Sequence, residues 1–255
     1  NQCRNHRKLI VIDSSIGYIG STNITAFCLN WRELNLRTTD LNLLSIFRRS
    51  FKDSYRSFER YTFNKIGTKR DFHSGDWVFI QDIPGIYRQK IKTKYERMIS
   101  KAEKEILIET PYFLPGHYLR KLLCEAAQRG VNVVIITPIH SDVHVVDIIR
   151  RHYLGGLHQA GVKLFFYTAG NLHAKGVMID QNTFSISSAN FDYRSFRYQY
   201  ELALIGKEKS LIPQLREHFD SSLKYCTSFD YQSWKKRSTV ERIIELMLLP
   251  FRYLF

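Results

Sequence analysis

Two histidines in this 255-residue chain each stand two residues before a lysine and seven before an aspartate: His6, Lys8 and Asp13 near the start, and His173, Lys175 and Asp180 about two thirds of the way along. An imidazole can attack phosphorus or pass a proton, and an ammonium group can hold a phosphate's charge, so each H-x-K-x-x-x-x-D set is equipped for phosphodiester chemistry. The correspondence runs on past the motif. Ser21 and Asn23 follow His6 by 15 and 17 residues, Ser188 and Asn190 follow His173 by the same intervals, and Glu33 and Glu201 follow at 27 and 28. An internal repeat of this kind predicts two equivalent half-sites about a pseudo-two-fold axis.

Strand residues of like parity share a face, so His6 with Lys8, and His173 with Lys175, are expected side by side. Joined around one cavity, the lysines and the donors of Ser21, Asn23, Ser188 and Asn190 would hold the phosphate. One imidazole would attack and the other protonate the leaving oxygen, through a phosphohistidine, with roles reversed when an acceptor alcohol enters. Glu33 and Glu201 are candidates to hold the far ring nitrogens. Asp13 and Asp180 complete the catalytic motifs but fall on the opposite parity, which predicts a part in the turns. No metal or cofactor is expected: the lysines supply positive charge, and His140, His144, His152 and His158 lack a ligand pattern such as H-E-x-x-H.

The elements that must position these groups are legible in outline. Leu9–Ile12 and Ile16–Ile19 read as a hairpin, as do residues 174–179 and 183–187; residues 31–39 read as a further strand. Apolar residues spaced by three and four predict an amphipathic helix over residues 41–61. Residues 64–75 are polar, basic and glycine-bearing, which predicts a linker. Beyond it, strands at 77–80, 106–109, 131–137 and 162–166 alternate with helices at 87–100, 119–129 and 145–159, and a last long helix covers 211–224. This is an α/β pattern.

Lys and Arg number 38 against 24 acidic residues, a net charge of +14 that favours nucleic acid, anionic lipid or phosphate-bearing substrates. Four scattered cysteines suggest neither a zinc site nor a disulfide framework, and no apolar run approaches the roughly 20 residues that span a bilayer.

The paired motifs, each followed by a small-residue turn ending in Asn (Gly20-Ser21-Thr22-Asn23 and Ser187-Ser188-Ala189-Asn190), identify the chain as a member of the phospholipase D superfamily. Thr110-Pro111-Tyr112-Phe113-Leu114-Pro115 and the run from Ser188 to Phe196 resemble bacterial cardiolipin synthases. The resemblance implies two pseudo-two-fold-related lobes of mixed sheet flanked by helices. Residues 1–63 would be the C-terminal part of a truncated first lobe, 64–75 a linker, and 76–255 a second lobe with an amphipathic tail. It further implies transfer of a phosphatidyl group between phosphatidylglycerol molecules at the cytoplasmic face of a bacterial membrane, with His6 as nucleophile and His173 as general acid. The opening without Met, with a motif histidine already at the sixth residue, reads as a fragment or a processed form. Ser187 replaces the glycine expected at the second turn, where a positive φ would be strained.

Two other functions stay open: a phosphodiesterase or nuclease using the same histidines on DNA or RNA, for which the aromatic stretch from Phe191 to Tyr200 could stack bases, and a non-catalytic lipid- or nucleic-acid-binding remnant. The C-terminus poses its own alternative. Trp234-Lys235-Lys236-Arg237 precedes a dense apolar segment, Ile243 to Phe255, which fits either an interfacial lipid anchor or a helix packed on the second lobe.

Overall fold

Strands buried on both faces form where apolar residues run without interruption. In the computed structural model, which describes residues 4–59, 71–85 and 89–254, such strands make the centre of a ten-stranded mixed sheet. The chain begins with β1 (Arg4–Asn5), β2 (Leu9–Ile12), β3 (Ile16–Gly20), β4 (Asn35–Thr38) and α1 (Leu41–Glu59). It continues through β5 (Asp71–Ser74), β6 (Trp77–Asp82), α2 (Lys90–Ser100), β7 (Glu105–Glu109), α3 (His117–Gln128), β8 (Asn132–Pro138), α4 (His144–Gln159) and β9 (Lys163–Tyr167). It ends with β10 (Gly176–Ile179), β11 (Thr183–Ser187), α5 (Tyr193–Tyr198), β12 (Gln199–Gly206), α6 (Ile212–Leu223), β13 (Cys226–Ser228), α7 (Tyr231–Lys235) and α8 (Thr239–Leu248).

The large sheet runs β13-β9-β8-β7-β10-β11-β12-β6-β5, with β1 pairing in parallel alongside β12; β2-β3-β4 form a separate antiparallel sheet. Strands β7, β8 and β9 are parallel because α3 and α4 carry the chain back between them. Alternate residues serve opposite faces. Ile106, Ile108, Val133, Ile135, Val177 and Ala203 meet α2, α3 and α4, whereas Leu107, Val134, Ile136, Met178, Leu202 and Leu204 meet α6, α1 and the small sheet. Ile19 and Leu36 of the small sheet, with Leu34 just before β4, thus share one core with the large sheet. Gly20 is required where those strands close up: a β-carbon there would lie 2.2 Å from the Leu34 carbonyl.

Several expectations need correction. Residues 71–74, assigned to the linker, are β5 and pair with β6, while residues 64–70 lie outside the described residues. The helix expected to Tyr61 is described to Glu59, and Tyr87, expected to open the next helix, also lies outside them. The strand expected at 31–39 is β4 alone, because Arg32 leaves the small sheet to bridge in parallel to Leu172. The buried strand β12 was not foreseen: both its faces are covered, so no alternation marks it. Ser187 has no positive φ; it is buried, and its hydroxyl donates to the Ala189 carbonyl.

The tail docks on the rest of the chain by a narrow face. Ser238 and Glu241 form a reciprocal cap at the start of α8, Glu245 is buried against Arg237 at 3.0 Å, and Leu248 and Leu249 pack on Leu114, Val146 and Ile149. The opposite face leaves Val240, Ile243, Leu246 and Met247 exposed. Among the described residues, no helix is long and apolar enough to cross a membrane.

Candidate active site

The histidines and lysines of both motifs sit just outside the strands, not within them: residues 6–8 lie between β1 and β2, and residues 173–175 lead into β10. Each histidine is held by the other half of the chain. His6 accepts its backbone register from β12, donating its amide to the Tyr200 carbonyl at 3.0 Å, and its Nδ1 lies 2.9 Å from Glu201 Oε1. His173 repeats the arrangement, with its amide on the Arg32 carbonyl at 2.8 Å and Nδ1 2.8 Å from Glu33 Oε1. A carboxylate only accepts, so in the neutral ring the proton sits on Nδ1 and Nε2 keeps its lone pair.

Ser21 and Ser188 were expected to face the phosphate, and here the structure assigns their hydroxyls elsewhere. Ser21 Oγ donates to Glu33 Oε2 and accepts from the Leu34 amide at 2.9 Å; Ser188 Oγ donates to Glu201 Oε2 and accepts from the Leu202 amide at 2.9 Å. Both serines are fully buried. They brace the glutamates, which leaves Asn23 and Asn190 from that set. Asn190 is 4% exposed and its Oδ1 has no protein partner, while Asn23 lines a cavity of about 370 Å³ with Lys8.

Asp13 and Asp180 do not reach the histidines. Each follows the far end of a four-residue strand and adopts a positive φ, 46° and 52°, in a tight hairpin turn. Asp180 also accepts the amides of Glu103, Lys104 and Glu105, which ties the turn to the start of β7. A larger cavity, about 590 Å³, opens at that end of the sheet, away from the histidines.

The two motifs act on each other electrostatically. Burial, then the charge of Lys8, lowers the Lys175 pKa to about 7; burial also lowers that of Lys8. Burial, then the charge of Lys175, lowers His173 to about 4, against the pull of Glu33. For Glu33 burial opposes the charge, yet hydrogen bonds from His173 and Ser21 with the charges of His173 and Lys175 outweigh it and hold the carboxyl below its usual range. Each lysine also donates to the carbonyl of its own motif histidine, at 2.9 Å from Lys8 and 2.7 Å from Lys175. The result is a compact, cationic, largely buried pair of half-sites in which a bound phosphodiester would relieve the repulsion between ammonium groups.

A stability consequence follows from Lys175. Its folded pKa lies below the ordinary 10.5, so between pH 7 and that value the unfolded chain binds more protons and stability rises with pH. Urea unfolding at pH 7, 8 and 9 is expected to show a rising midpoint, with a slope of up to about 1.4 kcal/mol per pH unit from this one proton. Lys175→Met should flatten that slope; an unchanged slope would show that Lys175 titrates normally.

Residues outside the motifs bolt this geometry in place. Arg32 donates to the His218 carbonyl at 2.8 Å and to Ser222 Oγ at 3.1 Å, and so pins the residue before Glu33 to α6. Arg7, between His6 and Lys8, donates to Ser54 Oγ at 2.9 Å and the Asp82 carbonyl at 3.0 Å. Trp31 stands edge-on to the His173 ring, centroids 5.2 Å apart, and shares a small recess with His173, His140 and Asp142. The one available signal was adjacency: each of these residues neighbours a motif histidine or its glutamate in the chain.

Residues 95–223, just over half of the chain, match the family described as "Cardiolipin synthase, PLD-like domain". A cardiolipin synthase of Clostridium perfringens is 31% identical over 96% of this chain and 55% of its own length. The chain thus spans about half the length of the curated relatives it matches. Among solved structures, the phosphatidylserine synthase of Haemophilus influenzae aligns with a TM-score of 0.77 at 12% identity, over 98% of this chain and 71% of that one. Nuc of Salmonella typhimurium, a phospholipase D family member, aligns with a TM-score of 0.50 at 18% identity, over 59% of this chain and 98% of its own. Both share the mixed-sheet fold.

Proposed function

The chain belongs to the cardiolipin synthase family of phospholipase D-like proteins, and on that premise we propose that it transfers a phosphatidyl group from one phosphatidylglycerol to the hydroxyl of a second. The crossed His6–Glu201 and His173–Glu33 pairs carry this reading, since they provide two oriented imidazoles for one attack and one proton transfer. Nε2 of one histidine bonds to phosphorus as the bond to the glycerol oxygen breaks, and the other histidine gives that oxygen its proton. The second phosphatidylglycerol then loses a hydroxyl proton to the same histidine and attacks the phosphohistidine, which frees the first ring. The products are the diphosphatidyl lipid and glycerol. Lys8 and Lys175 neutralise the phosphate, and Asn23 and Asn190 offer amide donors.

The environment of His173 favours an order opposite to the one expected from the sequence. With its proton affinity depressed to about 4, His173 rests uncharged, the state suited to attack, and His6 becomes the proton donor. Rapid quenching without acid and mapping of the labelled peptide tests the order: label at His173 supports it, and label at His6 restores the other.

Lipid is favoured over nucleic acid by the aromatic stretch after Asn190. Phe191, Phe196 and Tyr200 are in the core, with Phe191 stacked on Tyr95 at 5.0 Å, and so are not a platform for bases. Anionic phosphatidylglycerol at the cytoplasmic face of a bacterial membrane matches the basic chain. The direct test is labelled phosphatidylglycerol against single-stranded DNA; cleavage of the DNA alone would overturn the assignment. Turnover is also expected to survive EDTA in detergent micelles, because the lysines supply the charge. Loss with EDTA and rescue by Mg²⁺ would contradict it.

A further inference from the structure

The loop from Asn23 to Trp31 leaves the first half-site and returns to the second without a single charged residue. Its large apolar side chains point into solvent: Ile24 is 79% exposed, Phe27 80% and Leu29 81%. Water-facing loops are ordinarily polar, and three such residues on one short segment mark a contact surface. This one is continuous with the candidate active site. Phe27 meets Trp31 edge to face at 5.7 Å, and Trp31 meets the His173 ring.

The surface extends beyond the loop. Trp31 shares its recess with Asp142, which accepts from the Tyr112 hydroxyl; Tyr112 in turn packs on the cluster of Leu114, Val146 and Ile149, which also receives Leu248 at the end of α8 and Leu249 after it. There Ile243, Leu246, Met247 and Phe251 are exposed, with Lys235, Lys236 and Arg242 exposed nearby. Two segments some 200 residues apart in the chain are therefore linked through the recess and the residues behind it, one uncharged and apolar, the other apolar and edged with cations. Hydrocarbon suits the first and anionic headgroups suit the second.

We propose that the 24–29 loop inserts into the lipid surface and, with α8 beside it, seats the mouth of the histidine site on an anionic bilayer, so that substrate lipid reaches the site without leaving the membrane. The inference rests on the lipid reading of the site and adds the surface by which it meets its substrate. Phe27→Trp provides the reporter. On vesicles of phosphatidylglycerol and phosphatidylethanolamine, its added fluorescence is expected to shift to the blue and to be quenched by lipids brominated on the acyl chains. Phe27→Ser with Leu29→Ser should weaken vesicle binding roughly tenfold or more. The same double variant should turn over monomeric short-chain phosphatidylglycerol at the unsubstituted rate.

A reporter that stays unquenched, as it would if a protein segment covered the loop, overturns the proposal, as does absence of vesicle binding. Equal loss of activity on the monomeric lipid also overturns it, since the loop would then act on the site itself. If the unsubstituted chain binds vesicles through the loop but does not turn over the soluble lipid, the functional reading fails and the docking surface stands.

Discussion

Replacement of either His6 or His173 by alanine is expected to lower phosphatidyl transfer by roughly a thousandfold or more, and the double replacement little further, because groups that act as a unit in catalysis are strongly non-additive. The two rings are not interchangeable in their surroundings. His6 retains 24% side-chain exposure and His173 11%, yet each has its Nδ1 on a glutamate largely shielded from water. A mechanism with one nucleophile and one proton carrier needs both. The measurement is initial rate with labelled phosphatidylglycerol, with circular dichroism confirming the fold of each variant. Near-complete activity in either single variant would sink the two-histidine mechanism.

The second large effect is crossed. Glu33→Gln is expected to disable His173 and leave the surroundings of His6 intact, while Glu201→Gln does the reverse, each lowering turnover by roughly 10²–10⁴-fold. A glutamine amide can donate to Nδ1, which shifts the ring proton to the wrong nitrogen. Glu33 raises the proton affinity of His173, so its loss should push the His173 titration still further below about 4. Nitrogen-15 spectra of the imidazoles read this directly: Glu33→Gln should move the His173 signals alone. Movement of the His6 signals instead would mean that each histidine pairs within its own half.

That crossing defines how much the sequence could say. The repeat, the hairpins carrying Leu9–Ile12 and Thr183–Ser187, the α/β alternation after β6 and the residue types of the site were all readable from spacing. Which glutamate serves which histidine was not, because offsets of 27 and 28 describe distance along the chain, and the two halves meet through contacts 140 and 195 residues apart. The serines misled for a related reason. A hydroxyl near a phosphate site reads as a donor to phosphate, but Ser21 and Ser188 are at 0% exposure, where an unbraced glutamate would be the costlier group. Strand β12 escaped because it is buried on both faces, so residues 202–205 run without the alternation that marks a half-exposed strand.

The exchange of glutamates between halves also bears on biosynthesis. The carboxylate that aligns His6 is encoded 195 residues after it, and Glu33, made soon after His6, has no imidazole to serve until His173 appears. A nascent or clipped chain therefore holds every group of one motif and still lacks an aligned imidazole. Alignment of both imidazoles thus waits on the synthesis and pairing of β12, which ties the completion of the site to the completion of the fold.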